Sequence, residues 1–240
     1  MNIVIEKQKN YIRWIKWFKM KLFFNAITKF IMGFLMVGLL VFLPAGSFSY
    51  IYGWLFISLL FIPIFILGII LLLKSPDLLK KRLNGKEKET TQKGVVAFSA
   101  LIFLAGFIIS GLDFRFCWSY VPKIVIIIAS VFFIASYILY AEVMRENVYL
   151  SRTIEVQENQ KVIDTGLYGV VRHPMYMATI IMFLMIPLIL GSWFAFIIFL
   201  AYPVVIAVRI KNEEKILSEQ LDGYIQYKQK VKYRIIPFVW

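Results

Sequence analysis

The 240-residue sequence holds one cysteine and one histidine. A lone cysteine, Cys117, excludes an intrachain disulfide and a cysteine-rich metal site, so neither a stapled scaffold nor thiol redox chemistry is indicated. Acidic residues are scarce as well: 14 Asp and Glu stand against 27 Lys and Arg, giving a formal net charge of +13. What the chain has in excess is apolar surface. It is 60% hydrophobic and 17% aromatic, with a mean hydropathy of +0.76, beyond what a water-soluble core uses.

Crossing the roughly 30 Å hydrocarbon layer takes about 20 apolar residues as a helix, because only helices and closed barrels satisfy their backbone groups there. Four stretches qualify: Phe24 to Leu43, Tyr50 to Leu73, Val95 to Leu112 and Ile124 to Val143. Lys29, near the start of the first, can snorkel to the surface. A fifth apolar region, Tyr176 to Val208, is too long for one ordinary helix and carries "LGSW" at Leu190 to Trp193, which reads as the turn of a helical hairpin of two shortish spans. The expected fold is all-α, a polytopic transmembrane bundle of about six spans.

Charge placement supports that count. Of the 27 lysines and arginines, all but Arg115 and Lys123 fall on one side of a six-span topology. Basic residues collect on cytoplasmic loops, so both termini are expected in the cytoplasm, with the protein in the cell's inner or plasma membrane. The basic excess then needs no nucleic-acid partner.

Three regions follow. Residues 1–23 form a basic, aromatic arm in which Trp14, Trp17 and Phe18 interleave with Arg13, Lys16, Lys19 and Lys21. It reads equally as an interfacial helix or as a flank orienting the first span, and as part of the mature protein rather than a cleaved signal. Residues 24–144 hold four spans and a basic loop, 74–94, expected as an amphipathic surface piece with a turn at Asn84-Gly85. Residues 145–240 carry the chemistry.

There, "DTGLYGVVRHPMY" precedes the hairpin and "RIKNEEKILSEQLDGYIQYKQKVKYRIIPFVW" follows it. A hairpin returns the chain to the side it left, which would bring Arg172 and His173 near Arg209, Glu213 and Glu214. Pro174 restricts His173 to extended backbone and suits the first turn of a helix. That helix N-terminus favours an anionic group, and Glu213 and Glu214 offer acceptors for hydroxyls or an ammonium. The mixture suits a zwitterionic cofactor with a ribose. Blander readings stand beside it: a solvated interfacial His173, Glu213 and Glu214 paired along a helix surface with Lys211 and Lys215, and Tyr224, Tyr227 and Tyr233 in an interfacial tail. Glu142 beside Arg145 reads as a paired carboxylate.

"GLYGVVRHPMY", the hairpin, "EE" and the following "GYIQYKQKVKYRIIP" resemble the isoprenylcysteine carboxyl methyltransferase superfamily, which includes the phospholipid N-methyltransferases, over about Asn147 to Trp240. The resemblance implies S-adenosylmethionine bound at the cytoplasmic face. Tyr168, Arg172, His173, Pro174 and Tyr176 would fall on the first cofactor-binding motif, and Glu213 and Glu214 on the second. It also implies carboxyl O-methylation or amine N-methylation of a lipid-like, lipidated or otherwise amphiphilic acceptor that arrives partly from the membrane lipids. Arg209 is the candidate for holding an anionic substrate head by its guanidinium fork, and Arg172 is grouped with it as a catalytic candidate. Ala178 stands where glycine is common in these relatives.

Membrane sterol reductases, which use NADPH, share an arginine-histidine element and a similar tail. Their pattern runs to arginine-aspartate followed by cysteine, whereas this chain has Glu213-Glu214 and no cysteine after Cys117. A non-catalytic membrane protein retaining the fold is the other alternative. The methyl acceptor and the oligomeric state are open at this point.

Overall fold

A computed structural model describes residues 2–84, 90–151 and 156–240 of the chain. Among these residues the regular structure is helical: α1 (Asn2–Ala45), α2 (Ile51–Lys74), α3 (Pro76–Leu83), α4 (Thr90–Phe116), α5 (Lys123–Glu146), α6 (Pro174–Ile189), α7 (Trp193–Phe199), α8 (Tyr202–Gln220) and α9 (Tyr224–Lys230). The chain is a polytopic helical membrane protein. Five segments are long and apolar enough to span: Lys19–Ala45, Ile51–Lys74, Gln92–Phe116, Lys123–Glu146 and Trp193–Gln220. The sixth, α6, has 16 residues, about 24 Å of helix by its rise per residue.

The outer faces are as apolar as the inner ones. Leu43, Ile51, Val131 and Ile138 are all well exposed, as expected of side chains whose solvent is lipid rather than water. Inside, α5 packs most extensively on α6, and α4 lies between α1 and the α7–α8 arm. Close approach is built in at Gly106, where an added Cβ would stand 2.2 Å from the ring of Phe199, so α7 could not lie against α4 without that glycine.

The hairpin turns where "LGSW" predicts. Gly191 takes φ +77, a conformation that side chains resist, and Ser192 caps α7 by accepting from the Ala195 N–H at 3.1 Å. Its second arm departs from the two short spans expected. The chain breaks only briefly between Phe199 and Tyr202, with Pro203 in the first turn of α8, and then runs as helix to Gln220. No breaker follows Val208, so the helix continues past the apolar stretch and carries Glu213 and Glu214 with it.

Alternating direction through these helices sorts the loops into two groups. One end of the bundle carries α3, residues 147–151 and 156–173, α9 and the C-terminal tail. The other carries the 46–50, 117–122 and 190–192 connections. Of the basic 74–94 loop, α3 buries Leu78 and Leu79 while Lys81 and Arg82 donate to the carbonyls of Val148 and Ser151 at 3.3 and 3.1 Å. Gly85 of the expected turn, and the side chains of Arg13, Trp14, Lys16 and Phe18 in the expected interfacial arm, lie outside the described residues.

Candidate functional site

The site begins with the bend at Pro174. His173 sits just before α6 at φ −128, ψ 59, a non-helical conformation that proline imposes on its predecessor, and Pro174 is the first helical residue. The backbone on either side is free to pair with something else. The N–H groups of Arg172 and His173 donate to the carbonyls of Tyr233 and Arg234 at 2.9 and 2.8 Å, which lays the C-terminal tail along the entrance to α6.

Side chains lock that arrangement. Arg172 Nε donates to Glu214 Oε1 at 2.7 Å, while its Nη1 donates to the carbonyls of Val231 and Lys232 at 2.6 and 2.8 Å. His173 Nε2 lies 3.3 Å from the same Oε1, and Arg234 Nε donates to Glu214 Oε2 at 3.0 Å. Glu214 is only 3% exposed, Arg172 8% and His173 5%. A carboxylate so buried holds its charge only because cations surround it. The hairpin therefore joins the two clusters separated by about 40 positions in sequence, and the Glu214 partners are Arg172, His173 and Arg234 rather than a lysine of its own helix.

A second chain of contacts runs alongside. Arg209 Nε donates to Tyr176 Oη at 2.8 Å, its guanidinium lies 5.9 Å from that ring's centre, and Tyr176 Oη donates to Glu213 Oε2. Glu213, Arg209 and Tyr176 line a half-open cavity together with Tyr168, Arg172 and His173, and further lining comes from residues 147–151 and 160–163. Tyr168 accepts from Asn147 Nδ2 at 3.0 Å, and its carbonyl accepts from Tyr227 Oη at 2.8 Å. Pro174 is buried at the start of α6. Ala178 is fully buried and lies outside the cavity lining, and Glu142 is paired with Arg145 on an exposed face of α5.

Sequence reasoning passed over one contributor and left two open between an interfacial tail and the site. Arg234 completes the ring around Glu214. Tyr224 and Tyr227, weighed as members of an interfacial tail, are buried and line the cavity. Burial, with the carboxylates of Glu214 and Glu213 nearby, drives the Tyr224 phenol well above its ordinary pKa, so it remains a neutral hydroxyl. That hydroxyl is buried with no hydrogen-bond partner. The sequence signal for these residues was the aromatic and basic stretch "GYIQYKQKVKYRIIP" after "EE", which also fits a surface tail.

Buried hydroxyls are nearly always paired, so an unpartnered one on a residue of the cavity lining is an exception that marks this region. The donor set fits a nucleoside-bearing amino acid: a carboxylate for hydroxyls or an ammonium, a phenol able to donate or accept, and aromatic walls.

No curated protein matches the chain. A family model does: residues 118–222 match phospholipid methyltransferase. The match opens in the connection before α5, takes in α5, the 147–173 segment, the hairpin and α8, and ends before α9, leaving Arg234 and the tail that grips Arg172 beyond it. Residues 118–222 are thus similar to the phospholipid methyltransferase family, over somewhat less than half of the chain.

Proposed function

We propose that the chain transfers a methyl group from S-adenosylmethionine to an amphiphilic acceptor, in the cavity between the α6 entrance and α8. The observation that carries this reading is the cavity lined by Glu213, Arg209, Tyr176 and Tyr224 beside the Arg172–Glu214–Arg234 clamp, with the Tyr224 hydroxyl buried and unpartnered among the described residues. When bound, the cofactor supplies an electrophilic methyl carbon on a sulfonium.

The protein's task is then positioning and exclusion of water. Tyr168, Tyr176 and Tyr224 give the cavity its aromatic walls, and Glu213 accepts hydrogen bonds from the hydroxyls or ammonium of the cofactor. Arg172 and Glu214 act through the tail: their pairing and the Arg172 bonds to two tail carbonyls hold the C-terminal segment over the site. His173 fixes the bend against Glu214. Arg209, already aimed by Tyr176, is the group for an anionic substrate head. A carboxylate acceptor is ionised near neutral pH and needs no base. An amine acceptor must lose a proton, and among the glutamates considered for that task Glu213 lines the cavity whereas Glu142 does not. The concentration of lysine and arginine at this end supports a cytoplasmic site.

The test is ligand binding to the purified protein in nanodiscs, with S-adenosylmethionine and NADPH compared by calorimetry. Saturable binding of the first is expected. Binding of NADPH alone would return the chain to the reductase reading. Incubation of native membranes with methyl-labelled cofactor, followed by separate extraction of lipid and protein, then shows which fraction holds the acceptor.

A further inference from the structure

A lysine stands inside the first span. From Lys29 to Ala45 is about 24 Å of helix, less than the roughly 30 Å hydrocarbon layer, so the Lys29 backbone lies within the layer. Its side chain escapes toward the α3 end of the bundle, where Nζ donates to the carbonyl of Leu83 at 2.5 Å. That carbonyl is neutral, and an ammonium carries three N–H donors, so this bond neither balances the charge nor uses up the donors. Lys81 and Arg82 of α3 are turned elsewhere, to the carbonyls of Val148 and Ser151.

Lys29 also lines a groove. It runs between α1 and α2, is closed at the α3 end by Leu79 and Leu83, and holds about 320 Å³. Phe30, Phe61, Ile64 and Phe65 form its deeper part. Two glycines keep that part open: a Cβ on Gly68 would meet nothing within 4 Å, and one on Gly33 only the Phe61 ring at 3.9 Å. Both helices belong to spanning segments, so the groove opens to hydrocarbon. Among the described residues that line it, Lys29 alone is charged, and none of them lines the cavity beside Glu213.

We infer that this groove holds an anionic phospholipid, with one acyl chain against α1 and α2 at Gly33 and Gly68 and the phosphate on the Lys29 ammonium. A phosphate supplies what Lys29 lacks, a counter-charge and further acceptors, and a phospholipid carries it at the hydrocarbon boundary where Nζ emerges. A zwitterionic head brings its own cation to the phosphate and so competes with Lys29, whereas a net negative head does not. Such a head has neither an amine nor a carboxylate to methylate. It belongs to a resident lipid, separate in place and chemistry from the methyl acceptor, and the inference stands independently of the methyltransferase reading.

The experiment uses the full chain in phosphatidylcholine nanodiscs that carry a trace of phosphatidylglycerol or phosphatidylcholine with a diazirine on one acyl chain. Labelled residues are mapped by mass spectrometry. Val131 and Ile138, on the exposed face of α5, serve as the reference for general attraction of anionic lipid to a cationic protein. Relative to them, phosphatidylglycerol should label residues 30–33 and 61–68 about fivefold more than phosphatidylcholine, the discrimination expected of one lysine at a lipid surface. Lys29→Gln keeps a donor for the Leu83 carbonyl but removes the charge, and should bring the two lipids to parity. Lys29→Arg should retain the preference, and Gly68→Leu, which fills open space, should lower labelling by both lipids. Equal labelling of the wild type by the two lipids, an enrichment as large on α5 as in the groove, or a preference that survives Lys29→Gln would overturn the inference. So would labelling unchanged by Gly68→Leu. Loss of the preference in Lys29→Arg would also overturn it, leaving Lys29 as a cap on α3.

Discussion

Two buried carboxylates sit at opposite ends of the bundle, Glu214 beside the cavity and Asp113 among the connections at the other end, 3% and 2% exposed. Their partners differ in kind. Asp113 accepts from the Ser119 N–H at 2.7 Å, the Ser119 hydroxyl at 2.6 Å and the Ser192 hydroxyl, all neutral donors on the two connections it fastens. Tyr50, donating to the carbonyl of Leu190, ties the third connection to the same knot. Glu214 instead faces Arg172, His173 and Arg234, drawn from the α6 entrance and the C-terminal tail, next to a hydroxyl unpaired among the described residues. A carboxylate whose hydrogen bonds close on its own loops is a fastener. One balanced by cations at a cavity wall organises a site around it.

The largest expected effect tests this difference directly. Glu214→Gln leaves Arg172 buried and short of its counter-charge, and breaking such a pair costs about 3–5 kcal/mol. The variant should melt earlier by differential scanning fluorimetry and lose cofactor binding, because the tail is released from the α6 entrance. Asp113→Asn should cost about 1–3 kcal/mol for a hydrogen-bond network left partly unsatisfied, yet bind cofactor normally. If Asp113→Asn abolishes binding as fully as Glu214→Gln, the two ends are not separate in function and the comparison fails.

The same two clusters mark how far sequence reasoning reaches. The spans were legible because lipid demands long apolar helices, and the Arg172, His173, Glu213 and Glu214 assembly because a hairpin must return. Arg234 was not, since its position depends on a tail that folds back by backbone pairing with residues 172 and 173, a contact with no periodic signature. Asp113 was passed over for a different reason. It is the one acidic residue of α4, immediately after the apolar stretch that ends at Leu112, a warning of a buried polar contact, but its partners Ser119 and Ser192 lie on loops whose proximity only the packed bundle defines. Glu213 and Glu214 fall on the returning helix as expected, although the arm that carries them is longer than a short span.

Tyr224→Phe separates site from scaffold more finely. The hydroxyl it removes makes no hydrogen bond among the described residues, so the unliganded variant should be at least as stable as the wild type. Cofactor affinity should fall about tenfold, equivalent to about 1.4 kcal/mol. Calorimetry alongside thermal melting checks both halves. A variant that loses stability but keeps affinity would make Tyr224 part of the scaffold, on the Asp113 side of the comparison.

The smallest effect concerns how firmly the tail is held away from Glu214. Lys230, at the end of α9, pairs with Asp164 at 2.7 Å on an exposed surface. The hydrogen bond from Lys230 and its charge lower the Asp164 pKa from its ordinary value of 3.8. A carboxyl depressed in the folded state stabilises that state above its ordinary pKa, and the contribution disappears as pH falls through the depressed value. Asp164→Asn should therefore speed hydrogen exchange in α9 slightly at neutral pH, with the difference from wild type vanishing below about pH 4 as the carboxyl titrates. Solvent screening keeps an exposed pair weak, so the global melting temperature should hardly move. A large shift would mean that the tail is held chiefly from its surface, and that the buried ring around Glu214 contributes less to its docking than its geometry implies.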